Sequence, residues 1–178
     1  DLYIKNSTAI YTGLFGYTVD SNINKVHLWN IYVEGNSDVG VAVGGLVGAF
    51  DDNGTISNSS VHGNVTSKGG VRYTGGLAGW IWANNLLPTV YNSSFTGNIS
   101  AVGYKGIGGL VGWSDGIINY SFANVKLYFS YYGSVGWLVW NNSQDGSEAG
   151  IIDNSYSIGN VSGAAGLFVV RLGGLVGT

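Results

Sequence analysis

Two histidines, His27 and His62, are the only imidazoles in this chain, and no cysteine accompanies them. A zinc centre draws about four His, Cys or carboxylate ligands at characteristic spacings, and this pair offers neither the number nor the spacing. Serines are plentiful, yet none stands in a Gly-x-Ser-x-Gly elbow, so no activated nucleophile is indicated. Asp51, Asp52, Asp115 and Asp145 follow Gly-Leu phrases, and a regular stack of such phrases would bring them to one edge. There they read first as turn formers, whose side chains bond the local backbone. Oxygen ligation of calcium is the other reading. Carboxylate-based sugar cleavage needs a matched acid and base, and no Lys or His recurs beside these aspartates. The expectation is a protein that is not an enzyme and needs no cofactor.

Aromatic residues form a second group. Trp80, Trp82, Trp113, Trp137 and Trp140 lie at or just after the Gly-Leu phrases, and Phe50 takes the similar place one phrase earlier. Aligned by a repeat, they make a stripe, which is a sugar-stacking or contact surface if exposed and core filling if buried. A third group is the Asn-x-Ser/Thr sequons, nine in number, at Asn6, Asn53, Asn58, Asn64, Asn92, Asn98, Asn119, Asn141 and Asn160. Asn6, Asn53, Asn64, Asn98, Asn141 and Asn160 are expected at turns open to glycosylation. Asn58, Asn92, Asn119 and Asn154 are expected to stack as an inward amide ladder that carries no glycan, so that Asn53 and Asn141 are modified and Asn92 is not.

What must position these groups is a repeat. Gly44-Gly45-Leu46-Val47-Gly48 returns as Gly75-Gly76-Leu77-Ala78-Gly79, Gly108-Gly109-Leu110-Val111-Gly112 and Gly173-Gly174-Leu175-Val176-Gly177. Weaker copies stand at Gly13-Leu14-Phe15-Gly16 and Gly136-Trp137-Leu138-Val139-Trp140. Successive leucines, Leu14, Leu46, Leu77, Leu110, Leu138 and Leu175, are 32, 31, 33, 28 and 37 residues apart. Between them runs a second phrase, clearest in Ile56-Ser57-Asn58-Ser59-Ser60-Val61-His62-Gly63-Asn64-Val65-Thr66 and repeated from Val90, Ile117 and Ile152. These short Val-, Ile-, Tyr- and Ser-rich segments, punctuated by Gly, Asn and Asp, are strand and turn throughout.

The Gly-Leu and Asn-Ser phrases resemble the GLUG-repeat family of long, mostly secreted or surface-exposed bacterial and archaeal proteins, over nearly the whole chain. The periodicity itself implies an all-β fold, a parallel β-solenoid of about five coils of roughly 30 residues, two or three strands each, stacked ~4.8 Å apart. Leu46, Leu77, Leu110, Leu138 and Leu175 would form one inner column and Ile56, Val90, Ile117 and Ile152 another. A sandwich is the rival architecture, but it gives no reason for the fixed period. The chain is expected to be one domain, with residues 1–35 a degenerate opening repeat, residues 172–178 an incomplete last one, and insertions at Asn141 to Gly150 and Ala164 to Leu172.

Composition narrows the function. Only 10% of residues are charged, but 45% are hydrophobic, enough to fold. A net charge of −3 with seven scattered Lys and Arg gives no basic face for nucleic acid, and no apolar run approaches the ~20 residues of a membrane helix. A start at Asp1 without methionine suggests a processed or trimmed chain and hence export. Both ends look like open, uncharged β edges, which template strand addition. The expectation is an extracellular or cell-surface structural protein, a glycoprotein whose copies join head to tail into a filament or adhesin, with trimming from a longer repeat protein equally able to leave such ends. The alternative is a glycan-binding adhesion module using the tryptophan stripe.

Overall fold

A computed structural model describes residues 1–84, 86–102, 105–130, 133–142, 150–163 and 169–177. Its described residues contain strands and turns and no helix, so none is long and apolar enough to cross a membrane. The first coil holds β1 (Leu2–Asn6), β2 (Tyr11–Thr12), β3 (Phe15–Val19) and β4 (Asn22–Asn24). The second holds β5 (His27–Ser37), β6 (Ala42–Gly44), β7 (Val47–Asp51) and β8 (Thr55–Ser57). Then come β9 (Ser60–Gly69), β10 (Tyr73–Gly75), β11 (Ala78–Trp82) and β12 (Thr89–Tyr91). The fourth coil is β13 (Ser94–Val102), β14 (Lys105–Gly108), β15 (Val111–Ser114) and β16 (Ile117–Asn119). The fifth is β17 (Phe122–Ser130), β18 (Gly133–Gly136), β19 (Val139–Asn141) and β20 (Ile151–Asp153), and β21 (Tyr156–Gly163) and β22 (Val169–Gly173) open a sixth.

Every strand pairs in parallel with its equivalents in the neighbouring coils, making four walls: a long wall of order β1-β5-β9-β13-β17-β21, a second of β2-β6-β10-β14-β18-β22, a third of β3-β7-β11-β15-β19 and a fourth of β4-β8-β12-β16-β20. The parallel β-solenoid is therefore as expected, but each coil has four strands rather than two or three. The short walls are only two to five residues across, too brief to show an alternating pattern in sequence.

The leucine column is continuous through hydrogen bonds from each Leu N–H to the next coil's carbonyl: Leu46 to Leu77 at 3.0 Å, Leu77 to Leu110 at 2.8 Å, Leu110 to Leu138 at 2.8 Å and Leu138 to Leu175 at 3.1 Å. Leu46, Leu77, Leu110 and Leu138 are fully buried, whereas Leu175 stays 39% exposed. The flanking glycines exist because the second and third walls meet at a corner so tight that their backbones touch. A Cβ on Gly44 would lie 2.7 Å from the Gly79 nitrogen, and one on Gly79 would lie 2.6 Å from the Val43 nitrogen. No side chain fits at either place.

Two column assignments shift by one residue. Val90 pairs with Ile56 and with Ile118, so Ile118, not Ile117, continues the buried aliphatic column. Ile117 sits over Thr89 and faces outward. Likewise the corner carrying Asn58 and Asn92 is occupied in the fifth coil by Tyr120, because Tyr91 pairs with Asn119. The corner residues Lys25, Asn58, Asn92, Tyr120 and Asn154 all have positive φ, between 44° and 58°. Asparagine tolerates that left-handed conformation better than most residues, which is why it recurs. The fifth coil's shorter phrase, lacking its glycine, hid the offset.

The Asn-Ser phrase has a second, buried purpose. Ser59, Ser93, Ser121 and Ser155 stack at the corner between the fourth and long walls. Their hydroxyls accept the N–H of the residue one coil earlier: Val26 to Ser59, Ser59 to Ser93, Ser93 to Ser121 and Ser121 to Ser155, each 3.1 Å. Each hydroxyl donates in turn to the carbonyl two residues back in its own coil, at 2.8, 2.9, 2.9 and 2.7 Å. Turning a corner breaks the backbone ladder, and the serine hydroxyl closes the break.

Candidate functional site

The expected stripe divides into three. Phe50 pairs with Ile81 in register and is completely buried in the core, so it is not part of any surface. Trp137 stands in the column of the corner glycines and packs against the core. Trp80 and Trp113 share an outward column on the third wall. With Trp82, Trp140 and three residues not singled out from sequence, Tyr11, Tyr17 and Tyr73, they form one aromatic ridge outside the coil.

The ridge fills the concave corner between the second and third walls. Tyr73 is its hub, with ring centroids 5.6 Å from Trp80, 5.1 Å from Trp113 and 5.6 Å from Trp140. Tyr11 stacks on Tyr17 at 5.3 Å and reaches Trp80 at 6.5 Å. Trp80 and Trp82 lie parallel at 5.1 Å. Most of these rings cover one another, while Trp82 remains 37% and Tyr17 49% exposed. Alternation within β2, β3 and β10 places the tyrosines here, and the two-residue length of β2 concealed it.

Asp51 and Asp115 do share a column, with Trp82 between them: Trp82 pairs with Asp51, and Asp115 follows Ser114, the partner of Ile81. Both are buried, and their oxygens are engaged in hydrogen bonds, those of Asp51 with the coils on either side of it. The Tyr17 hydroxyl donates to Asp51 Oδ2 at 2.6 Å and the Asn84 amide to Oδ1 at 3.3 Å, while Trp113 Nε1 donates to Asp115 Oδ1 at 2.9 Å. The bond to Asp51, followed by partial burial, pushes the Tyr17 phenol up to about 12. Asp52 sits in a positive-φ turn at 56° and accepts the N–H of Asn84, one coil away, at 3.1 Å. Asp145 lies outside the described residues. Among the described residues no group of three or more His, Cys, Asp or Glu gathers as a metal-binding set.

His27 and His62 are exposed on the long wall. His27 Nδ1 is 2.9 Å from Ser60 Oγ, and His62 rests against Trp29 with ring centroids at 5.4 Å. Sequence reasoning missed Glu34, which is 2% exposed. It ion-pairs with Lys5 at 3.2 Å and Lys68 at 2.9 Å and accepts the Tyr32 hydroxyl at 2.7 Å. Tyr32 and then Lys68 hold its carboxyl at about 2 instead of 4.5.

The sequons also need correction. Asn6 and Asn53 flank turns, and Asn141 ends β19. Asn64, Asn98 and Asn160, however, lie within the long-wall strands, aligned through Lys126 in one outward column, with Asn98 Nδ2 donating to Asn64 Oδ1 at 2.8 Å. The amide ladder at the corner is real between Asn58 and Asn92, at 2.8 Å, and continues to Asn24 at 3.1 Å. It faces solvent rather than the core, with Asn92 exposed. The burial argument against a glycan on Asn92 therefore falls.

With the repeating corner in view, residues 39–66 match the family model described as the GLUG motif. That span runs from the second-wall corner through the Asn-Ser corner into the long wall, and the same geometry recurs in register in the neighbouring coils. Residues 39–66 are a GLUG motif. Halomucin of Haloquadratum walsbyi (strain DSM 16790 / HBSQ001) is 32% identical over 162 residues, covering 82% of this chain but 2% of halomucin. The chain thus spans a small fraction of the length of that relative. No solved structure matches the chain.

Proposed function

We propose that this chain is a stiff, non-catalytic segment of an extracellular or cell-surface protein, a filament or adhesin whose GLUG coils set length and rigidity. The carrying observation is the axial continuity of the structure. Backbone ladders on four walls, the leucine column and the serine column all run through consecutive coils, so bending one coil strains several columns at once. The GLUG motif and the likeness to halomucin support placement at a surface. Any further coil, from the same chain or from another copy, extends the same ladders, which is the basis for head-to-tail growth. Light scattering and negative-stain imaging across a concentration series test this. Growing rods of constant width are expected, and compact, flexible particles at all concentrations would defeat the proposal.

One observation favours glycan binding as a second reading. Trp82 has one ring face stacked on Trp80 and remains 37% exposed, which is how an aromatic platform offers its outer face to a sugar. Trp82→Ala should remove that binding while leaving the fold intact. Trp113→Ala is a poorer probe, because Trp113 buttresses Tyr73.

A further inference from the structure

We propose a separate binding site for a linear acidic oligosaccharide at the corner between the fourth and long walls. Two outward columns border the buried serine column there. One contains Lys25, Asn58, Asn92, Tyr120 and Asn154. The other contains His27, Ser60, Ser94, Phe122 and Tyr156, as the registers of the long wall require. In the third and fourth coils both columns carry small polar residues, Asn58 with Ser60 and Asn92 with Ser94. In the coil before they carry Lys25 and His27, and in the coil after Tyr120 and Phe122. The result is a trough two coils long, cationic at one end and aromatic at the other, enclosing about 420 Å³.

Its floor suits a sugar chain running along the solenoid axis. The ladder bond from Asn92 to Asn58 uses one N–H of Asn92, and the amide inventory leaves a second N–H and oxygen lone pairs for a ligand. These groups repeat at the coil spacing of ~4.8 Å, about the width of one pyranose ring. Tyr120, 55% exposed, and Phe122 close the far end as a stacking surface. At the near end, no carboxylate among the described residues pairs with Lys25, and the trough lining contains no Asp or Glu although the chain has ten. A uronate carboxylate or a sulfate ester on the sugar supplies the missing anion, with Lys25 and His27 as its partners.

The test is an array of neutral, uronate-containing and sulfated oligosaccharides, followed by calorimetry with the strongest tetrasaccharide. Binding to acidic members is expected, and Lys25→Gln should weaken it roughly tenfold. Ser94→Phe should abolish it by filling the trough. That variant has a precedent in the chain itself, since Phe122 occupies the same column one coil later. Tyr120→Asn, which copies the corner residue of the neighbouring coils, should weaken binding without any effect on folding. Trp82→Ala should leave it unchanged, which separates this trough from the ridge. Absence of binding to every acidic glycan, equal binding of neutral ones, or full binding by Ser94→Phe or Tyr120→Asn would overturn the assignment.

Discussion

Replacing Ser93 by alanine tests the corner account most directly. The Ser93 hydroxyl donates to Tyr91 O at 2.9 Å and accepts the Ser59 N–H at 3.1 Å. Tyr91 O also receives the Asn58 N–H at 3.1 Å, so the carbonyl keeps a partner in the variant. Ser59 N–H does not, and Ser59 is 2% exposed, so water cannot readily replace the lost hydroxyl. A buried donor left unsatisfied costs about 1–3 kcal/mol, and losing one small oxygen adds little cavity, so roughly 2 kcal/mol is expected. In a chain of this size that is a fall in Tm of about 4–8 °C. The equivalent Ser155→Ala sits where the corner is half-exposed, and hydration should reduce its cost to below about 1 kcal/mol. Thermal melts with amide exchange at Ser59 are the assay, since a repeat array need not unfold in one step. If Ser93→Ala matches the parent within about 0.5 kcal/mol and Ser59 remains protected, the hydroxyl column does not hold the corner.

Acid titration probes Glu34. Its folded carboxyl lies below the unfolded value, so its stabilisation is present above about pH 4.5 and disappears as pH falls toward 2. A drop from 4.5 to about 2 corresponds to about 3 kcal/mol at most, and screening at the half-exposed lysines reduces this to roughly 1–2. Glu34→Gln should lose that increment at neutral pH and flatten the profile between 4.5 and 2; an unchanged profile by circular dichroism would contradict the ion-pair geometry. Core packing on the long wall makes a different prediction. Gly97 has φ of +148° and lies against the Gly63 backbone, beside the buried Phe95, whereas the next coil uses Ala123 and Val125 in the same two columns. Gly97→Val should destabilise by more than about 1 kcal/mol in denaturant melts, because the added side chain meets the Gly63 backbone in a left-handed conformation that favours glycine. Glycopeptide mapping after expression in a glycosylating host should find Asn53 and Asn141 occupied, and it no longer has a structural reason to find Asn92 empty.

The period of the leucines and glycines made the solenoid legible, because only a stack brings every thirtieth residue into one environment. The register within a period was less legible. The spacing puts Ile117 and Asn119 one residue off because coil length varies from 28 to 37 residues between leucines, and only hydrogen-bond pairing distinguishes Ile117 from Ile118. Burial is less legible where geometry decides it. Asparagine amides can stack inside or outside a corner, and it is the positive φ at Asn58 and Asn92 that turns them outward. Phe50 looked like the tryptophans that follow other Gly-Leu phrases, but its place in β7 points inward, one residue out of phase with Trp80 and Trp113. The ridge tyrosines and Glu34 leave little signal in a linear sequence, since the tryptophans against Tyr73 and the lysines against Glu34 come largely from other coils.

The parallel registers of the four walls also determine how the molecule responds to tension. All the ladder hydrogen bonds between coils point along the axis, so a pull on the chain ends does not shear a whole sheet at once. It would peel one coil at a time, opening that coil's ladder bonds in succession like a zipper. A coil of about 32 residues releases roughly 110 Å of chain at ~3.4 Å per residue, in exchange for only ~4.8 Å of stack height. Under load the rod would pay out slack in equal steps, and each released coil could rewind on the intact edge beneath it.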